Sequence, residues 1–184
     1  MAKKPSDKRK RSALAATQAP GRPAKLQVGA LCWRRSGAGV TKVLLITSRD
    51  TGRWVIPKGW PMRRRTEAEA AAREAYEEAG VNGETGPSIG LFGYDKNLGH
   101  GRRIFCVVRV FPLEVRKMER KYPEFGQRRV KWFPAQKAAE RVEELELAAM
   151  IREFGAALDA GGGAVTEGDA APAPADVPEE TAEG

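Results

Sequence analysis

Residues 59–81 constrain the fold of this chain more than any other stretch. Thr66 is followed three residues later by Glu69, the capping-box pattern in which each side chain bonds the other residue's backbone N–H. This pattern predicts a helix that begins just after Thr66. Gly80 can adopt the left-handed backbone that ends a helix, so the end of this helix is predicted as well.

Carboxylates crowd one side of the predicted helix. At about 100° per residue, Glu74, Glu77 and Glu78 fall within one arc, and Glu67 lies two turns back on the same side. Like charges one turn apart destabilise a helix by about 0.2–0.5 kcal/mol per pair, and a hard divalent cation would offset that repulsion. The alternative is an acidic face that only contacts water. The apolar segment at residues 53–57 favours the cation, because strand-to-helix turns commonly bind phosphate and metal ions.

The same stretch resembles the Nudix box, whose pattern is G-x5-E-x7-R-E-U-x-E-E-x-G-U, with U an aliphatic residue. The residues that match at the right spacing are Gly59, Arg73, Glu74, Glu77, Glu78, Gly80 and Val81. Arg65 stands where the pattern has its first Glu. We hypothesise that Glu67, on the predicted metal-facing arc, partly replaces that carboxylate.

This resemblance implies a hydrolase of phosphoanhydride bonds that depends on Mg²⁺ or Mn²⁺. It implies that Glu74 and Glu78 are metal ligands and that the backbone carbonyl of Lys58 is a further ligand. Glu77 is implied as the acceptor of the proton from the attacking water. Carboxylate and carbonyl oxygens are the ligands that these two cations prefer.

Two of the implied roles have alternatives. In some branches of the family a downstream loop supplies the base, and Glu119 and Glu124 are the loop candidates here. Arg73 is implied as a structural partner of the box carboxylates. It could instead pair only with Glu69 or Glu77, each one turn away on the helix surface.

Segments outside the box resemble a branch of the family, the diphosphoinositol-polyphosphate phosphohydrolases, which also cleave diadenosine polyphosphates. These segments are residues 30–34, 47–49, 53–57 and 126–133. The residues at or beside the ligand-binding positions of that branch are Ser48, Arg49, His100, Arg102, Arg103 and Arg128, and Arg63, Arg64 and Arg65 add charge near the helix. Arginine binds phosphate bidentately, so this set favours a densely charged ligand, although each residue alone is typical of an ordinary surface.

The function predicted from these motifs is that of a metal-dependent pyrophosphohydrolase. Its expected substrate is a multiply phosphorylated small molecule of the dinucleoside polyphosphate or inositol pyrophosphate type. One alternative is a pyrophosphohydrolase of RNA 5′ ends, and another is a non-catalytic module that senses nucleotides. Retention of all three box glutamates argues against the non-catalytic module.

The two ends of the chain differ in composition from its middle. Residues 1–25 contain eight Lys or Arg against one Asp and lack an apolar face, which predicts a disordered basic arm. Residues 156–184 are rich in Ala, Gly and Pro and contain seven Asp or Glu but no Lys or Arg, which predicts a disordered acidic tail. Residues 26–155 are then expected to form the domain that resembles Nudix hydrolases. We interpret the arm as a solubilising tail more readily than as a contact for nucleic acid.

The charges of the two ends cancel, so the net charge of +8 resides on the predicted domain. A basic domain suits a polyanionic ligand, and its alternative role is general solubility. No segment has the pattern of a signal peptide or of a membrane span. Cys32 and Cys106 each lie inside an apolar run, which predicts buried, reduced thiols and a cytoplasmic location.

The order of periodic segments predicts an α/β fold. Strands are expected at residues 26–34, 41–48, 53–57, 88–94, 103–112 and 128–133, and further helices at 135–141 and 143–154. Strands mixed with helices in this order predict a sheet that is covered on both faces. The family resemblance implies the same architecture, an α/β/α sandwich with a mixed sheet.

Overall fold

The computed structural model describes residues 23–99 and 102–161, which form eight strands and three helices. The strands are β1 (Lys25–Arg35), β2 (Thr41–Thr47), β3 (Trp54–Val55), β4 (Lys58–Gly59), β5 (Val81–Thr85), β6 (Gly90–Asn97), β7 (Arg103–Met118) and β8 (Val130–Pro134). The helices are α1 (Glu67–Ala79), α2 (Ala135–Ala139) and α3 (Leu145–Gly161).

All eight strands join one mixed sheet with the order β3-β2-β1-β7-β5. Off this path, β4 pairs with β1, β6 with β7 and β8 with β2. The β1 and β7 strands run parallel, in register from Lys25 opposite Cys106 to Trp33 opposite Glu114, and the other pairs are antiparallel. The predicted mixed sheet is therefore confirmed.

Two apolar cores lie on opposite faces of the sheet. Successive residues of a strand face opposite sides, so Val28 and Ala30 of β1 pack on the α1 side while Leu31 packs on the other. On the α1 side they meet the alanines of the helix, Ala70, Ala71, Ala75 and Ala79. On the other side α2 and α3 contribute Ala135, Ala138, Leu147, Ala148 and Ile151. The α/β/α sandwich is thus confirmed.

The segment at residues 53–57 differs from its prediction as one strand. Trp54–Val55 pairs with β2, whereas Lys58–Gly59 pairs with β1. Pro57 lies between them, and because proline has no N–H it cannot continue the β3 ladder. Its carbonyl instead accepts a hydrogen bond from the backbone N–H of Ala30 at 2.9 Å. At Pro57 the chain leaves its pairing with β2 and begins to pair with β1, a few residues before the acidic helix.

The sequence pattern also missed strand residues after the helix. Val81–Thr85 was not predicted, because Asn82 and Gly83 are typical of turns, yet it pairs with the second half of β7 across a bulge. This pairing extends β7 to Met118, past the predicted end at residue 112. The predicted loop at 95–101 begins as strand, because β6 pairs with β7 as far as Asn97.

The C-terminal boundary of the domain lies later than predicted. Helix α3 continues to Gly161 instead of ending at residue 154, so residues 156–161 belong to the fold and not to the tail. Asp159 holds this last turn, since its Oδ1 accepts hydrogen bonds from the backbone N and the Oγ1 of Thr41 at 3.0 and 2.6 Å. Residues 1–22 and 162–184, most of the predicted arm and tail, lie outside the described residues.

The predicted thiols agree with the structure. Cys32 and Cys106 are both free and buried. Burial raises the pKa of the Cys32 thiol well above its ordinary value, which keeps it protonated. None of the described helices has both the length and the apolar composition needed to cross a membrane.

Candidate active site

Helix α1 begins and ends where the sequence predicts. The backbone N of Glu69 donates to Thr66 Oγ1 at 3.2 Å, and the backbone N of Thr66 donates to Glu69 Oε2 at 2.7 Å. Gly80 has a φ of 68°, in the left-handed region, and its N–H donates to the carbonyl of Tyr76 at 2.9 Å. The capping box and the glycine cap are therefore confirmed.

Strand β4 brings its backbone directly against the acidic face of this helix. Gly59 pairs with Val28 of β1, and a Cβ atom added to Gly59 would lie 2.0 Å from Glu74 Oε1. A side chain at residue 59 would displace the Glu74 carboxylate, so glycine permits this close approach of carboxylate and strand. The backbone of Lys58, the preceding residue, contacts the same face of the helix.

Glu78 is buried, with 8% of its surface exposed, and protein donors bind both of its carboxylate oxygens. The backbone N of Lys58 donates to Oε2 at 3.0 Å. Arg128 Nη2 donates to Oε1 in a charge-assisted bond. The predicted ligand Glu78 is thus held by the start of β4 on one side and by a distant arginine on the other.

The side chain of Arg128 reaches three parts of the fold. Its Nε donates to Glu124 Oε2 at 2.7 Å, and its Nη1 donates to the carbonyl of Thr47 at 3.0 Å. The segment that carries Glu124 is fixed to the helix, because the backbone N of Glu124 donates to the carbonyl of Glu77 at 3.0 Å. The loop candidate Glu124 therefore lies beside the box glutamates. Glu119, the other loop candidate, pairs with Lys117 at 2.8 Å.

The gathered carboxylates disturb one another's ionisation. Burial, and then the nearby charges of Glu78, Glu77 and Glu124, raise the pKa of Glu74 to about 7, while Arg128 opposes that rise. Burial also raises the pKa of Glu78, although Arg128 and the backbone N–H of Lys58 favour its charged form. The structure therefore places four carboxylates within electrostatic reach in a partly buried setting.

Two further glutamates of the helix have arginine partners. Arg73 Nε donates to Glu77 Oε1 at 2.5 Å, which is the pairing along the helix surface that the sequence left open. Arg109 of β7 donates to Glu67 Oε2. The Glu67 carboxylate is thus paired with the sheet, and its proposed role in replacing the missing box Glu stays a hypothesis.

The donor chemistry at this site suits a hard divalent cation. Among the described residues, no three His, Cys, Asp or Glu side chains form a ready-made metal cluster. The predicted set needs only two carboxylates, Glu74 and Glu78, with the carbonyl of Lys58 as the third donor. Glu74 has no ion pair or hydrogen bond within the described part of the chain, so its charge lacks a direct counterion. Because all of these donors are oxygen atoms and a carboxylate remains uncompensated, the site fits a hard divalent cation.

The predicted substrate residues of the β2–β3 turn lie close to this site. Ser48 shapes the turn through its backbone, because its N donates to the carbonyl of Arg53 at 2.8 Å and its carbonyl accepts from Gly52 at 2.9 Å. Arg49 is exposed, and its Nη1 lies 3.4 Å from Glu124 Oε1. Arg49 is therefore directed at the same carboxylate that binds Arg128.

The other predicted arginines are distributed more widely. Arg102 and Arg103 are exposed at the β6–β7 hairpin. Lys96 of the same hairpin lies close to β4, because its Nζ is 5.2 Å from the ring of Trp60, the residue after that strand. His100 lies outside the described residues. Arg65 lines a groove of about 340 Å³ with Arg73, Tyr76 and Asn82, on the helix face turned away from Glu74. Arg65 thus does not take the place of a carboxylate in the site.

Sequence reasoning missed the side chain of Lys58, for which it considered only the carbonyl. Strand alternation directs Lys58 to the sheet face opposite Gly59, where its Nζ lies 5.0 Å from the Tyr94 ring. Burial lowers the pKa of Lys58, although the charges of Glu78 and Glu144 oppose that shift. Successive side chains of a strand face opposite sides of the sheet, and this pattern could have located the half-buried side chain of Lys58.

The model of the NUDIX domain family matches residues 24–154, well over half of the chain. The chain belongs to the Nudix family. The match covers every element that forms the site, from β1 to the middle of α3, and Nudix hydrolases generally use divalent metal ions.

Relatives and solved structures agree with this assignment. Nudix hydrolase 21, chloroplastic, from Arabidopsis thaliana is 36% identical over 110 residues, covering 59% of this chain and 54% of the relative. The mouse diphosphoinositol polyphosphate phosphohydrolase 3-alpha is 34% identical over 84 residues, covering 45% of this chain and 50% of the relative. The chain thus spans about half the length of these curated relatives. The crystal structure of C. elegans Ap4A hydrolase has the same Nudix fold, with a TM-score of 0.54, 19% identity and coverage of 74% of this chain and 99% of that one.

Proposed function

We propose that the protein is a metal-dependent pyrophosphohydrolase that cleaves a phosphoanhydride bond in a multiply phosphorylated small molecule. The observation that carries this proposal is that Glu124 of the 119–128 segment lies beside Glu74, Glu77 and Glu78 of α1, with Glu74 left uncompensated. Membership of the Nudix family supports the same reaction class. The like charges of such a cluster repel one another, and a divalent cation would offset that repulsion.

Glu74, Glu78 and the carbonyl of Lys58 would hold the cation, for which we propose Mg²⁺ or Mn²⁺. When bound, such a cation neutralises phosphate charge and lowers the pKa of a coordinated water. The chain contributes a fixed geometry, because Gly59 lets Glu74 approach the strand and the Lys58 N–H orients Glu78. These contacts would hold the donors in place before a substrate arrives.

We propose Glu77 as the acceptor of the proton from the attacking water, with Glu124 as the second candidate. Arg73 Nε donates to Glu77 Oε1 at 2.5 Å, a contact that orients this carboxylate on the helix surface beside Glu74 and Glu78. Glu124 is held between Arg128 and Arg49, and it is also placed beside the helix. The resemblance to the Nudix box favours Glu77, whereas the contacts of the 119–128 segment keep Glu124 within the same site.

The substrate class is proposed from charge and from the relatives. Arg49 is exposed at the site, and Arg102 and Arg103 are exposed on the neighbouring hairpin, where their guanidinium groups can bind phosphate oxygens. The mouse relative is named for diphosphoinositol polyphosphates. We therefore propose an inositol pyrophosphate or a dinucleoside polyphosphate as the substrate. The free, buried state of Cys32 and Cys106 supports the cytoplasmic location predicted above.

The test compares Glu74→Gln, Glu77→Gln and Glu124→Gln with wild type on a panel of diadenosine polyphosphates and inositol pyrophosphates, each with Mg²⁺ and with Mn²⁺. Glu74→Gln is expected to lower kcat/KM by about 100-fold or more, because it removes ligand charge. Glu77→Gln is expected to lower kcat by about 10²- to 10⁴-fold if it accepts the proton. The matched control is Glu84→Gln, an exposed glutamate of β5, which should keep normal turnover.

Each outcome separates one assignment from another. If Glu77→Gln has a normal kcat and Glu124→Gln has a greatly reduced one, Glu124 is the proton acceptor and not Glu77. Wild type without metal-dependent turnover on any member of the panel, or a Glu74→Gln variant with full activity, would overturn the proposed function. Capped or triphosphorylated RNA belongs in the same panel, because cleavage of RNA alone would favour the RNA 5′-end alternative.

A further inference from the structure

We infer that Arg128 is the internal counterion and positioning residue of the acidic site, and not a ligand of the substrate phosphates. The inference rests on the proposed function for its setting, the acidic helix, but its geometry stands on its own. Arg128 has only 7% of its side chain exposed. Its carboxylate partners, Glu78 and Glu124, are 10% and 21% exposed at the side chain. A guanidinium so enclosed by protein groups turns inward, away from any ligand that arrives from solvent.

Three different nitrogen atoms of Arg128 bind three different segments. Nη2 binds Glu78 of α1, Nε binds Glu124 of the 119–128 segment at 2.7 Å, and Nη1 binds the carbonyl of Thr47, the last residue of β2, at 3.0 Å. The planar fork of arginine fixes the directions of these bonds relative to one another, which a lysine ammonium cannot do. Arg128 therefore sets the distance between Glu78 and Glu124.

The neighbouring arginines show how different this placement is. Arg129 is exposed and lies over the Trp54 ring at 5.3 Å. Arg49 is 57% exposed and approaches only the outer oxygen of Glu124, at 3.4 Å. Both can turn to a ligand without leaving a buried charge behind. If Arg128 turned to a ligand, two partly buried carboxylates would lose their partner.

The position of Arg128 has a direct consequence for cation binding. Glu78 Oε2 already accepts from the Lys58 N–H, and Glu78 Oε1 accepts from Arg128, so a divalent cation shares this carboxylate with the arginine. Removing Arg128 would leave Glu78 without its guanidinium partner and Glu124 with only the exposed Arg49. A metal ion would then be the principal source of compensating charge, and it would stabilise the variant more than it stabilises wild type.

The experiment measures Tm in EDTA and in Mn²⁺, with the Kd of Mn²⁺ by calorimetry, for wild type, Arg128→Ala, Arg128→Lys and Arg129→Ala. We expect Arg128→Ala to lower the metal-free Tm by about 10 °C, because a buried pair loses one partner. Mn²⁺ should restore most of that loss and bind the variant more tightly than wild type. Arg128→Lys should give an intermediate Tm, since it restores charge without the fork. Arg129→Ala should stay within about 3 °C of wild type, because it loses only an exposed contact with a ring.

Two results would overturn the inference. The first is an Arg128→Ala variant with the Tm and the Mn²⁺ response of Arg129→Ala. The second is a normal metal-free Tm together with a loss of kcat/KM that grows with the number of phosphates on the substrate, which would make Arg128 a substrate ligand. If Arg128→Ala does not fold, the Arg128→Lys variant decides, because a wild-type Tm in EDTA would contradict the inference. The Tm and Kd measurements need no substrate, so they can still be interpreted if the proposed hydrolysis fails.

Discussion

Glu74 differs at the residue scale from the other glutamates of the acidic face. Glu67, Glu77 and Glu78 each have an arginine partner, whereas Glu74 has no ion pair among the described residues and packs against Gly59. Its pKa, raised to about 7, follows from burial and from like charges without a direct counterion. The features that suit this carboxylate to bind a cation, its burial and its lack of a counterion, also lower the stability of the metal-free fold.

The raised pKa of Glu74 predicts how the stability of the metal-free protein depends on pH. The folded state binds a proton more tightly than the unfolded chain, whose glutamate has a pKa of 4.5. The associated stability is therefore fully present below about pH 4.5 and is lost as pH rises through about 7. Urea unfolding in EDTA from pH 5 to pH 8 should show this decline.

The matched variants are Glu74→Gln and Glu84→Gln. Glu74→Gln should flatten the decline in the free energy of unfolding, although part of it remains because the pKa of Glu78 is raised as well. Glu84→Gln, an exposed control, should keep the wild-type slope. A Glu74→Gln variant with the same slope as wild type would show that Glu74 is not the group that titrates.

The element scale shows what local sequence patterns predict well and what they miss. The sequence predicted three local features of α1 correctly, which are the capping box of Thr66, the glycine cap and the arc of carboxylates. Each depends only on residues within or next to one helix. The partners of Arg128 depend on where the 119–128 segment and the end of β2 arrive after folding, and no local pattern encodes that. Strand β5 was missed for the same reason, because pairing with β7 overrides the turn preference of Asn82 and Gly83.

The junction between α1 and the 119–128 segment yields a prediction about Gly80. Gly80 has a φ of 68°, and an added Cβ would lie 2.4 Å from the ring of Tyr122 and 2.8 Å from the carbonyl of Glu119. Gly80→Ala therefore adds a clash to the strain of a left-handed backbone, and should lower the free energy of unfolding by about 2–5 kcal/mol. The measurement is urea unfolding followed by far-UV circular dichroism.

Gly39→Ala is the control that isolates the clash. Gly39 also has a positive φ, 76°, but an added Cβ there meets nothing within 4 Å. Its substitution should cost about 1–2 kcal/mol, from backbone strain alone. Equal losses in the two variants would mean that the packing of Tyr122 against the helix end contributes nothing.

At the scale of the whole molecule, the last turn of α3 ties the C-terminal end of the domain to the sheet. Asp159 accepts two hydrogen bonds from Thr41 at the start of β2, and the carbonyl of Leu158 accepts one from Arg35 at the end of β1. The composition of residues 156–184 hid this contact, since Ala and Gly around a single Asp are typical of a disordered tail. The sandwich itself was predictable, because its layers follow from the order of strands and helices.

Asp159→Ala should lower the free energy of unfolding by about 1–3 kcal/mol, since Thr41 is buried and would lose the acceptor of both bonds. The loss should be equal in EDTA and in Mn²⁺, because Thr41 lies opposite the last residue of β1, whereas β4 pairs with Val28 and Gly29 near the other end of that strand. Asp159→Asn, which keeps one acceptor oxygen, should recover part of it. A loss that depended on Mn²⁺ would show that this anchor is coupled to the acidic site.

The parallel pairing of β1 with β7 determines when the site can exist during synthesis. The ribosome releases the acidic helix, which ends at Ala79, well before β7 and Arg128 have been made. At that stage the glutamates of the nascent chain lack Arg128, and β1 lacks β7, the strand with which it pairs in parallel. Contacts between such distant segments form slowly and late. The cluster of charge becomes an organised centre only once the C-terminal third of the domain has emerged and docked.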